Sequence, residues 1–469
     1  MSVVSEEQLG FVDEQKIYSI LDAARLVDRE RALEVVAKSK ECQGLDLEEL
    51  AILLQAQDEE VIAAIYEAAL YVKNAIYGKR MVFFAPLYIS NVCANNCLYC
   101  GFRRDNTELM RRVLSIDEIR REVEILLSEG HKRVLVVAGE HPTLSGIDYI
   151  EKAVAAIYDT RVGNASIRRV NVNCAPLSVE DFRRLKACAI GTYQCFQETY
   201  HLDTYRLMHP SGPKKDYLWR LLAPDRAMEA GIDDIGIGAL FGLTDYRFEV
   251  MAVLMHAQYL DAKFGVGPHT ISVPRLEPAL NAPAANNPPH AVTDDDMRRI
   301  VSCFRLAVPY TGIILSTRER AEFRSELMAL GVSQISAGSR TSPGGYYDAK
   351  AHKPETEQFS IGDDRSLSEV MLALCKDNYI PSFCTSCYRK GRTGEHFMDL
   401  AKHGEIHKMC APNAILSLKE YLLDYADGET REQGERVLAD CLEDLEPRLR
   451  AKTMSLLARI EAGERDLSI

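Results

Sequence analysis

Two groups of three cysteines, far apart in this 469-residue chain, are the residues whose spacing indicates chemistry most clearly. The groups are Cys93, Cys97 and Cys100, and Cys384, Cys387 and Cys410. Each group has one cysteine too few to enclose a tetrahedral metal ion or a 4Fe-4S cluster by itself. Each could therefore leave one iron atom open to a ligand that is not protein, and open iron can carry out chemistry.

The composition excludes several classes of protein. The chain has 56 Lys and Arg against 69 Asp and Glu, a net charge of −13. This balance argues against nucleic acid or a membrane as a partner, because both favour clustered basic residues. No apolar run approaches the ~20 residues that span a bilayer, and we expect a cytoplasmic protein. In a reducing compartment, thirteen cysteines indicate metal binding or catalysis rather than disulfides.

The pattern of apolar residues changes near residue 81. Before it, apolar positions have helical spacing; after it, short apolar strands alternate with amphipathic helices, which is typical of a parallel sheet with helical crossovers. Repeated units of this number and length predict a complete (βα)8 barrel, a fold of about 250 residues. The eight predicted strands are Val82–Tyr88, Arg133–Val137, Arg168–Asn173, Thr192–Gln197, Asp234–Gly238, Thr270–Val273, Gly312–Ser316 and Gln334–Ala337.

The alternation ends at Gly344-Gly345, and charged sequence with helical spacing returns from about residue 412. We therefore predict an α/β protein in three parts. Residues 1–80 form an N-terminal helical extension, residues 81–345 a (βα)8 barrel of the TIM type, and residues 346–469 a mainly helical C-terminal domain. The second cysteine group lies in this last part.

The first cysteine group directly follows the first predicted strand. This places Cys93, Cys97 and Cys100 in a loop at the C-terminal face, where barrel active sites lie. Their CxxxCxxC spacing resembles the signature of the radical S-adenosylmethionine (SAM) superfamily, in which three thiolates hold a 4Fe-4S cluster and SAM binds the fourth iron. The alternative is a structural zinc site, which would need a fourth Cys or His, and no clear candidate is adjacent.

The resemblance implies which residues bind SAM. Gly139-Glu140, at the end of the second strand, resembles the Gly-Glu element whose backbone binds the SAM amino group, and Tyr99 resembles the aromatic residue whose backbone meets the adenine. Glu198 and Arg206 resemble the residues that hold the ribose and the SAM carboxylate in aromatic amino-acid lyases. A surface salt bridge is the alternative role for Glu198 and Arg206.

The second group, Cys384-x2-Cys387-x22-Cys410, resembles the C-terminal motif of the HydG family, tyrosine lyases that mature [FeFe]-hydrogenase. The resemblance covers essentially the full length. It implies a second 4Fe-4S cluster that carries an additional iron bound through L-cysteine. His269 resembles the histidine that binds this iron, and imidazole suits iron. A hydrogen-bonded scaffold residue is the alternative for His269.

A zinc site is also the alternative for the second group, because three histidines could supply a fourth ligand. These are His396, His403 and His407. A zinc ribbon would usually supply two CxxC pairs, whereas this segment has one pair followed by a single cysteine.

Tyrosine needs a fixed cation for its carboxylate, and Arg has the planar fork that matches one. Arg318 follows the seventh strand, and Ser336 and Ser339 lie around the eighth. These three residues resemble the carboxylate-binding positions of the aromatic amino-acid lyases. Arg318 could instead pair with Glu322, four residues on.

The resemblance implies that the chain cleaves L-tyrosine to p-cresol and dehydroglycine and converts dehydroglycine to CO and cyanide, giving an Fe(CO)(CN)-cysteine precursor. It also implies a reductant protein such as ferredoxin or flavodoxin and other hydrogenase maturation proteins as partners. One alternative is 2-iminoacetate synthase, the thiazole-pathway tyrosine lyase, which lacks the second motif. Another is a non-catalytic iron-sulfur scaffold, which would not need a SAM pocket.

Overall fold

A closed barrel of eight parallel strands forms the centre of the protein. This computed structural model describes residues 10–351, 357–389, 394, 400 and 406–469. The strand order is β10-β9-β8-β7-β6-β5-β2-β1, and the pairing of β10 with β1 closes the barrel. Strands β3 and β4 form a separate antiparallel hairpin. The strands are β1 Arg80–Ser90, β2 Arg133–Ala138, β3 Arg161–Val162, β4 Ala165–Ser166, β5 Arg169–Asn173, β6 Tyr193–Gln194, β7 Ile235–Gly238, β8 Thr270–Ser272, β9 Gly312–Leu315, β10 Gln334–Ser336 and β11 Ile380–Ser382.

Helices precede, surround and follow the barrel. Those before it are Glu14–Ala24, Arg29–Ser39, Leu47–Gln55 and Glu59–Tyr77. Those between or after the barrel strands are Ile116–Ser128, Ile147–Asp159, Val179–Ala187, Leu202–Met208, Tyr217–Leu221, Ala223–Glu229, Tyr246–Phe264, Pro283–Asn286, Asp294–Ala307, Ala321–Leu330 and Gly345–Lys350, with a 3-10 helix at Pro213–Lys215. The C-terminal helices are Leu367–Lys376, Ser386–Arg389, His407–Asp424, Gly428–Glu443 and Pro447–Glu461. Among the helices described, none has both the length and the apolar character needed to cross a bilayer.

The predicted (βα)8 barrel is confirmed, and all eight predicted strands are present. Local signals explain where its elements begin and end. In the helix Ile116–Ser128, the Ser115 hydroxyl accepts from the Glu118 N–H at 3.3 Å, and the Glu118 carboxylate accepts from the Ser115 N–H at 2.8 Å. This capping box satisfies N–H groups that have no partner within the helix. The chain leaves the helix through Gly130, whose φ of 100° favours glycine.

The ninth strand of the sheet, β11, comes from the C-terminal part of the chain. It pairs in parallel with the start of β1, so that Arg80 lies opposite Ile380. The sequence did not predict this strand, because it has only three residues and the middle one, Pro381, lacks the N–H that a sheet uses. Cys384 follows two residues after β11. The second cysteine group is therefore attached to the N-terminal end of the barrel.

Candidate active site

The first cysteine loop begins where β1 ends, at the C-terminal face of the barrel. Burial raises the pKa of Cys93 to about 11 and also raises the pKa of Cys97 and Cys100. The pKa of Cys97 is lowered by the Lys214 ammonium and raised by the other two thiols, so the three side chains share one site. Desolvated thiols bind a metal only as thiolates, and a metal cluster supplies the positive charge that removes their protons.

The Gly-Glu element packs directly against this loop. A Cβ on Gly139 would lie 2.6 Å from the Val92 carbonyl oxygen, so only glycine fits. The Ala94 N–H donates to the Glu140 carbonyl at 2.8 Å. The Glu140 carboxylate accepts from the Asn95 side chain at 2.7 Å. The residues at the end of β2 thus hold the cysteine loop in place by backbone and side-chain hydrogen bonds.

Glu198 faces the same region with an unusual backbone. Its φ of 72° is rare for a residue other than glycine and costs of order 1–3 kcal/mol. Its carbonyl accepts from the Leu240 N–H at 2.7 Å, and its carboxylate accepts from the Lys214 ammonium at 2.6 Å. Both side chains are buried, so this ion pair is not the surface salt bridge considered as the alternative.

The structure does not bring Arg206 to this site. Its side chain is 58% exposed and pairs with Asp203, three residues earlier on the same helix, at 3.2 Å. Two cations that the sequence analysis missed lie there instead, Lys214 and Arg220. The Arg220 guanidinium donates to Glu140 at 2.7 Å. Their only sequence signal was that both are basic residues in a short stretch after β6. No periodic pattern of apolar residues indicates that this stretch lies near the end of a barrel strand.

Tyr99 is buried within the cysteine loop, where its hydroxyl forms a 2.7 Å hydrogen bond with Nε2 of His209. His209 Nδ1 in turn lies 2.7 Å from the Tyr205 carbonyl, which accepts from it when the proton is on Nδ1. This chain of contacts fixes the aromatic ring, and therefore the backbone on either side of it.

A cavity opens at this face and extends into the barrel. Arg318 is directed into it, with its guanidinium carbon 3.3 Å from the centre of the Phe359 ring. The Ser336 hydroxyl accepts from the Thr317 N–H at 3.2 Å. The buried Ser339 hydroxyl has no hydrogen-bond partner among the residues described. The polar lining of this upper cavity is Tyr88, Tyr99, Cys100, Asn173, Gln194, Glu198, Ser272, Ser316, Thr317, Arg318, Ser336, Ser339, Thr341 and Gln358.

The second cysteine group lines another cavity, at the N-terminal end of the barrel. A hydrogen bond with Cys387, together with burial, raises the pKa of Cys410. This lower cavity is lined by Tyr77, Arg80, Val82, Arg133, Arg169, His269, Gln334, Cys384, Thr385, Ser386, Cys387, Cys410 and Asn413. The three cysteines, distant in sequence, are thus brought to one place together with His269.

His269 precedes β8, and its Nδ1 lies 3.6 Å from a carboxylate oxygen of Asp234. Burial and the nearby charges of Arg169 and Arg133 hold the pKa of His269 well below its usual value. The imidazole is therefore neutral, which is the form that binds metals. A carboxylate beside a ligating histidine commonly orients the ring.

The two cavities lie end to end inside the barrel. Phe84 and Ser336 line the upper one, whereas Val82 and Gln334, two residues earlier in the same strands, line the lower one. Residues two apart in a strand point to the same side, and two residues span roughly 7 Å. About one layer of side chains separates the cavities.

Within the described ranges, no three Cys, His, Asp or Glu side chains are close enough together to hold a single metal ion. Of the histidines proposed to complete a zinc site, His396 and His403 lie outside the described residues, and the side chain of His407 is not described. In a four-iron cluster each thiolate binds a different iron, which spaces the thiolates more widely than one zinc ion would.

The fold and the first cysteine loop define a radical SAM enzyme. The model of the radical SAM superfamily matches residues 87–255, and that of the biotin and thiamin synthesis associated domain matches residues 272–380. The chain is 34% identical over 355 residues to 2-iminoacetate synthase of Salmonella typhimurium, covering 76% of this chain and 89% of that protein. The Escherichia coli 2-iminoacetate synthase is 33% identical over 74% of this chain and 89% of its own length.

Two solved structures match nearly the whole chain. The crystal structure of HydG, a maturase of the [FeFe]-hydrogenase, has 52% identity and a TM-score of 0.95, covering 98% of this chain and 100% of that one. The X-ray structure of the FeFe-hydrogenase maturase HydG from Carboxydothermus hydrogenoformans has 43% identity and a TM-score of 0.84, covering 97% and 100%. The chain belongs to the HydG family. As a radical SAM enzyme, it uses a 4Fe-4S cluster and SAM.

Proposed function

We propose that this protein cleaves L-tyrosine to p-cresol and dehydroglycine and converts dehydroglycine to CO and cyanide on an iron centre, giving an Fe(CO)(CN)-cysteine precursor for the hydrogenase H-cluster. The observation that carries this proposal is the presence of two three-cysteine groups at opposite ends of one barrel in a member of the HydG family. A lyase that made only dehydroglycine would not need the second cysteine group.

The residues of the first site fit a 4Fe-4S cluster with bound SAM. When bound, the reduced cluster supplies a 5′-deoxyadenosyl radical from SAM. We propose that Cys93, Cys97 and Cys100 hold this cluster. The backbone of Gly139-Glu140 and that of Tyr99 would bind the amino group and the adenine, and Glu198 the ribose. Lys214 and Arg220 take the carboxylate-binding role predicted for Arg206, because they are the cations buried beside Glu198.

The upper cavity fits tyrosine. We propose that Arg318 binds the substrate carboxylate with Ser336 and Ser339 as further donors, since a buried guanidinium and a hydroxyl without a partner face the same space. This would hold the α-amino group toward the SAM site, where loss of a hydrogen atom leads to scission of the Cα–Cβ bond. The barrel wall keeps water from the reactive fragments.

The lower cavity would receive dehydroglycine along the barrel axis. We propose that Cys384, Cys387 and Cys410 hold a second 4Fe-4S cluster, and that His269 binds the additional iron that L-cysteine links to it. His269 is neutral and beside Asp234, as a metal-binding histidine requires. In this scheme the additional iron is cargo, which leaves with CO, cyanide and cysteine.

Two other functions would need different observations. 2-Iminoacetate synthase activity is favoured by the identity to those enzymes, but that match covers 76% of this chain, whereas the HydG structures cover 98% and 97%. A non-catalytic scaffold would leave the buried Lys214–Glu198 and Arg220–Glu140 pairs without a purpose.

One reaction tests the proposal. Anaerobically reconstituted protein is given SAM, tyrosine and dithionite, and p-cresol and CO, the latter with a haem trap, are assayed in the same tube. Both products are expected. Cresol without CO would replace the proposal with a 2-iminoacetate synthase, and neither product from protein with intact clusters would replace it with a scaffold.

We further propose a cytoplasmic location, with a reductant protein such as ferredoxin or flavodoxin and other hydrogenase maturation proteins as partners. The low-potential electron that cleaves SAM must come from such a reductant, and the iron product needs a protein to accept it. The net charge of −13 supports the prediction that neither nucleic acid nor a membrane is a partner.

A further inference from the structure

Three barrel strands begin with an arginine that lines the lower cavity. Arg80 is the first residue of β1, Arg133 of β2 and Arg169 of β5. Arg133 and Arg169 lie opposite each other in the sheet, and all three arginines line the lower cavity together with the second cysteine group. Under the proposed function, this is the point that a fragment moving down the barrel would reach.

Arg133 is 4% exposed, and its Nε is buried without a hydrogen-bond partner among the residues described. The Nε of Arg80 is likewise buried without one. Burial and the charge of Arg80 lower the pKa of Arg133 to about 10, so it still carries a proton at neutral pH. A buried cation with an unused donor is costly unless an anion completes the site.

The charges of the described residues around the cavity do not balance. None of these lining residues is Asp or Glu, and the carboxylate of Asp234 lies 3.6 Å from Arg169. A 2+ four-iron core with three thiolates carries one negative charge. Among the described residues, three guanidiniums, one carboxylate and one such cluster sum to one positive charge. These residues therefore favour the binding of a small anion.

We propose that Arg133, with Arg80 and Arg169 beside it, forms a binding site for the carboxylate of a small two-carbon acid next to the second cluster. The inference rests on the proposed function, under which that acid is dehydroglycine. Guanidinium groups match a carboxylate by two parallel hydrogen bonds. The arginines act as binding residues: they capture the anion and hold it while its other end faces the metal site.

The competing explanation is that the arginines only balance the charge of the cluster. That explanation predicts that removal of one guanidinium changes cluster assembly and leaves anion binding unchanged. The two are separated by a probe that binds but does not react. Oxamate is suitable, because it has the carboxylate and the nitrogen of dehydroglycine with a stable amide in place of the imine.

Binding of oxamate to reconstituted holoenzyme is measured by equilibrium dialysis without SAM. Tyrosine is present at saturation, so that the Arg318 site is occupied. We expect Arg133→Gln to weaken binding at least tenfold and Arg133→Lys, which keeps the charge, to weaken it less. Arg183→Gln, on an exposed arginine paired with Glu180, should leave it unchanged. Equal affinity in wild type and Arg133→Gln would overturn the inference.

Turnover gives a second readout. In Arg133→Gln we expect p-cresol at the wild-type rate, CO reduced at least tenfold, and glyoxylate and ammonia in solution, since uncaptured dehydroglycine adds water and loses ammonia. If Arg133→Gln takes up less iron than wild type, the same comparison is made with Arg133→Lys, provided that this variant has its full iron content. CO at the wild-type level in a variant that no longer binds oxamate would also overturn the inference. If wild type makes no p-cresol, the proposed function fails, and the dialysis result still tests the anion site.

Discussion

The ammonium of Lys214 lies 2.6 Å from a carboxylate oxygen of Glu198, whose backbone has a φ of 72°. Both side chains are buried next to the first cysteine loop, and the charge of Lys214 also lowers the pKa of Cys97. The pair therefore connects the residue proposed to bind the ribose with the thiolates proposed to hold the cluster. The contact with Glu198 supports the proposal that Lys214 belongs to the SAM site.

Replacing Lys214 by methionine should weaken SAM binding by about ten- to a hundredfold, because one buried charge-assisted hydrogen bond is worth roughly 1.5–3 kcal/mol. Equilibrium dialysis of SAM against reconstituted protein measures the effect. Lys215→Met, on the exposed neighbour, is the matched control. An unchanged dissociation constant in Lys214→Met would exclude the proposed role of the ammonium.

Replacing Cys387 by alanine should preserve p-cresol formation and abolish CO and cyanide. The iron content should fall by about four atoms per chain, or about five where the additional iron is bound, since one thiolate of a three-thiolate cluster is lost. Metal analysis of anaerobically purified protein tests this directly. Zinc in the wild type that disappears in the variant would support the zinc alternative, and CO at the wild-type level would remove the second cluster from the mechanism.

Arg318→Met should raise the KM for tyrosine by about ten- to a hundredfold, because the substrate carboxylate would lose its buried charged partner. Uncoupled SAM cleavage without tyrosine should continue. Steady-state p-cresol kinetics measure the KM, and the formation of 5′-deoxyadenosine without tyrosine measures uncoupled SAM cleavage. Arg320→Met, two residues on and exposed, removes the contacts with Asp294 and the Phe323 ring and serves as the control. A KM equal to that of the wild type would place the tyrosine carboxylate elsewhere.

Lys73 makes stability depend on pH. It is fully buried, its ammonium donates to the Met328 carbonyl at 2.8 Å, and burial lowers its pKa from 10.5 to about 7. Between pH 7 and 10.5 the unfolded chain binds a proton here that the folded chain does not, so the free energy of unfolding from this group rises with pH, by at most ~1.4 kcal/mol per unit.

Lys73→Met should remove that rise. Urea unfolding of the metal-free protein at pH 7, 8 and 9 compares the variant with wild type and with Lys79→Met. Lys79 is exposed and lies two residues after the end of the helix Glu59–Tyr77. The difference between Lys73→Met and wild type should shrink as the pH rises. A constant difference across the series would contradict the lowered pKa.

The barrel could be predicted because its strands are short apolar runs separated by helices with clear spacing, and the runs at Arg133 and Gly312 begin where the structure places them. β11 could not, because a three-residue strand with a central proline has no periodicity. The C-terminal boundary at residue 346 stays a prediction, and so do the roles of the individual site residues.

The site residues that belong to recognisable sequence motifs were predicted, whereas those that only the fold brings together were missed. Spacing identified all six cysteines of the two groups, and the lower cavity gathers the three of the second group. Arg206 was predicted from its resemblance to a residue of the aromatic amino-acid lyases, and such a resemblance cannot show which side of a helix faces the barrel. The arginines at the strand starts had one signal, since β1, β2 and β5 all begin with the same residue type.

Strand β1 runs from Arg80, beside the lower cavity, to Ser90, just before Cys93. At about 3.3 Å per residue, its eleven residues span roughly 35 Å. A single strand therefore sets the distance between the two cysteine groups, and β11 holds the second group at the lower end of that strand. The loops at either end of the barrel can change length without altering that separation. In contrast, insertion of a single residue within β1 would shift the strand register at both of its ends.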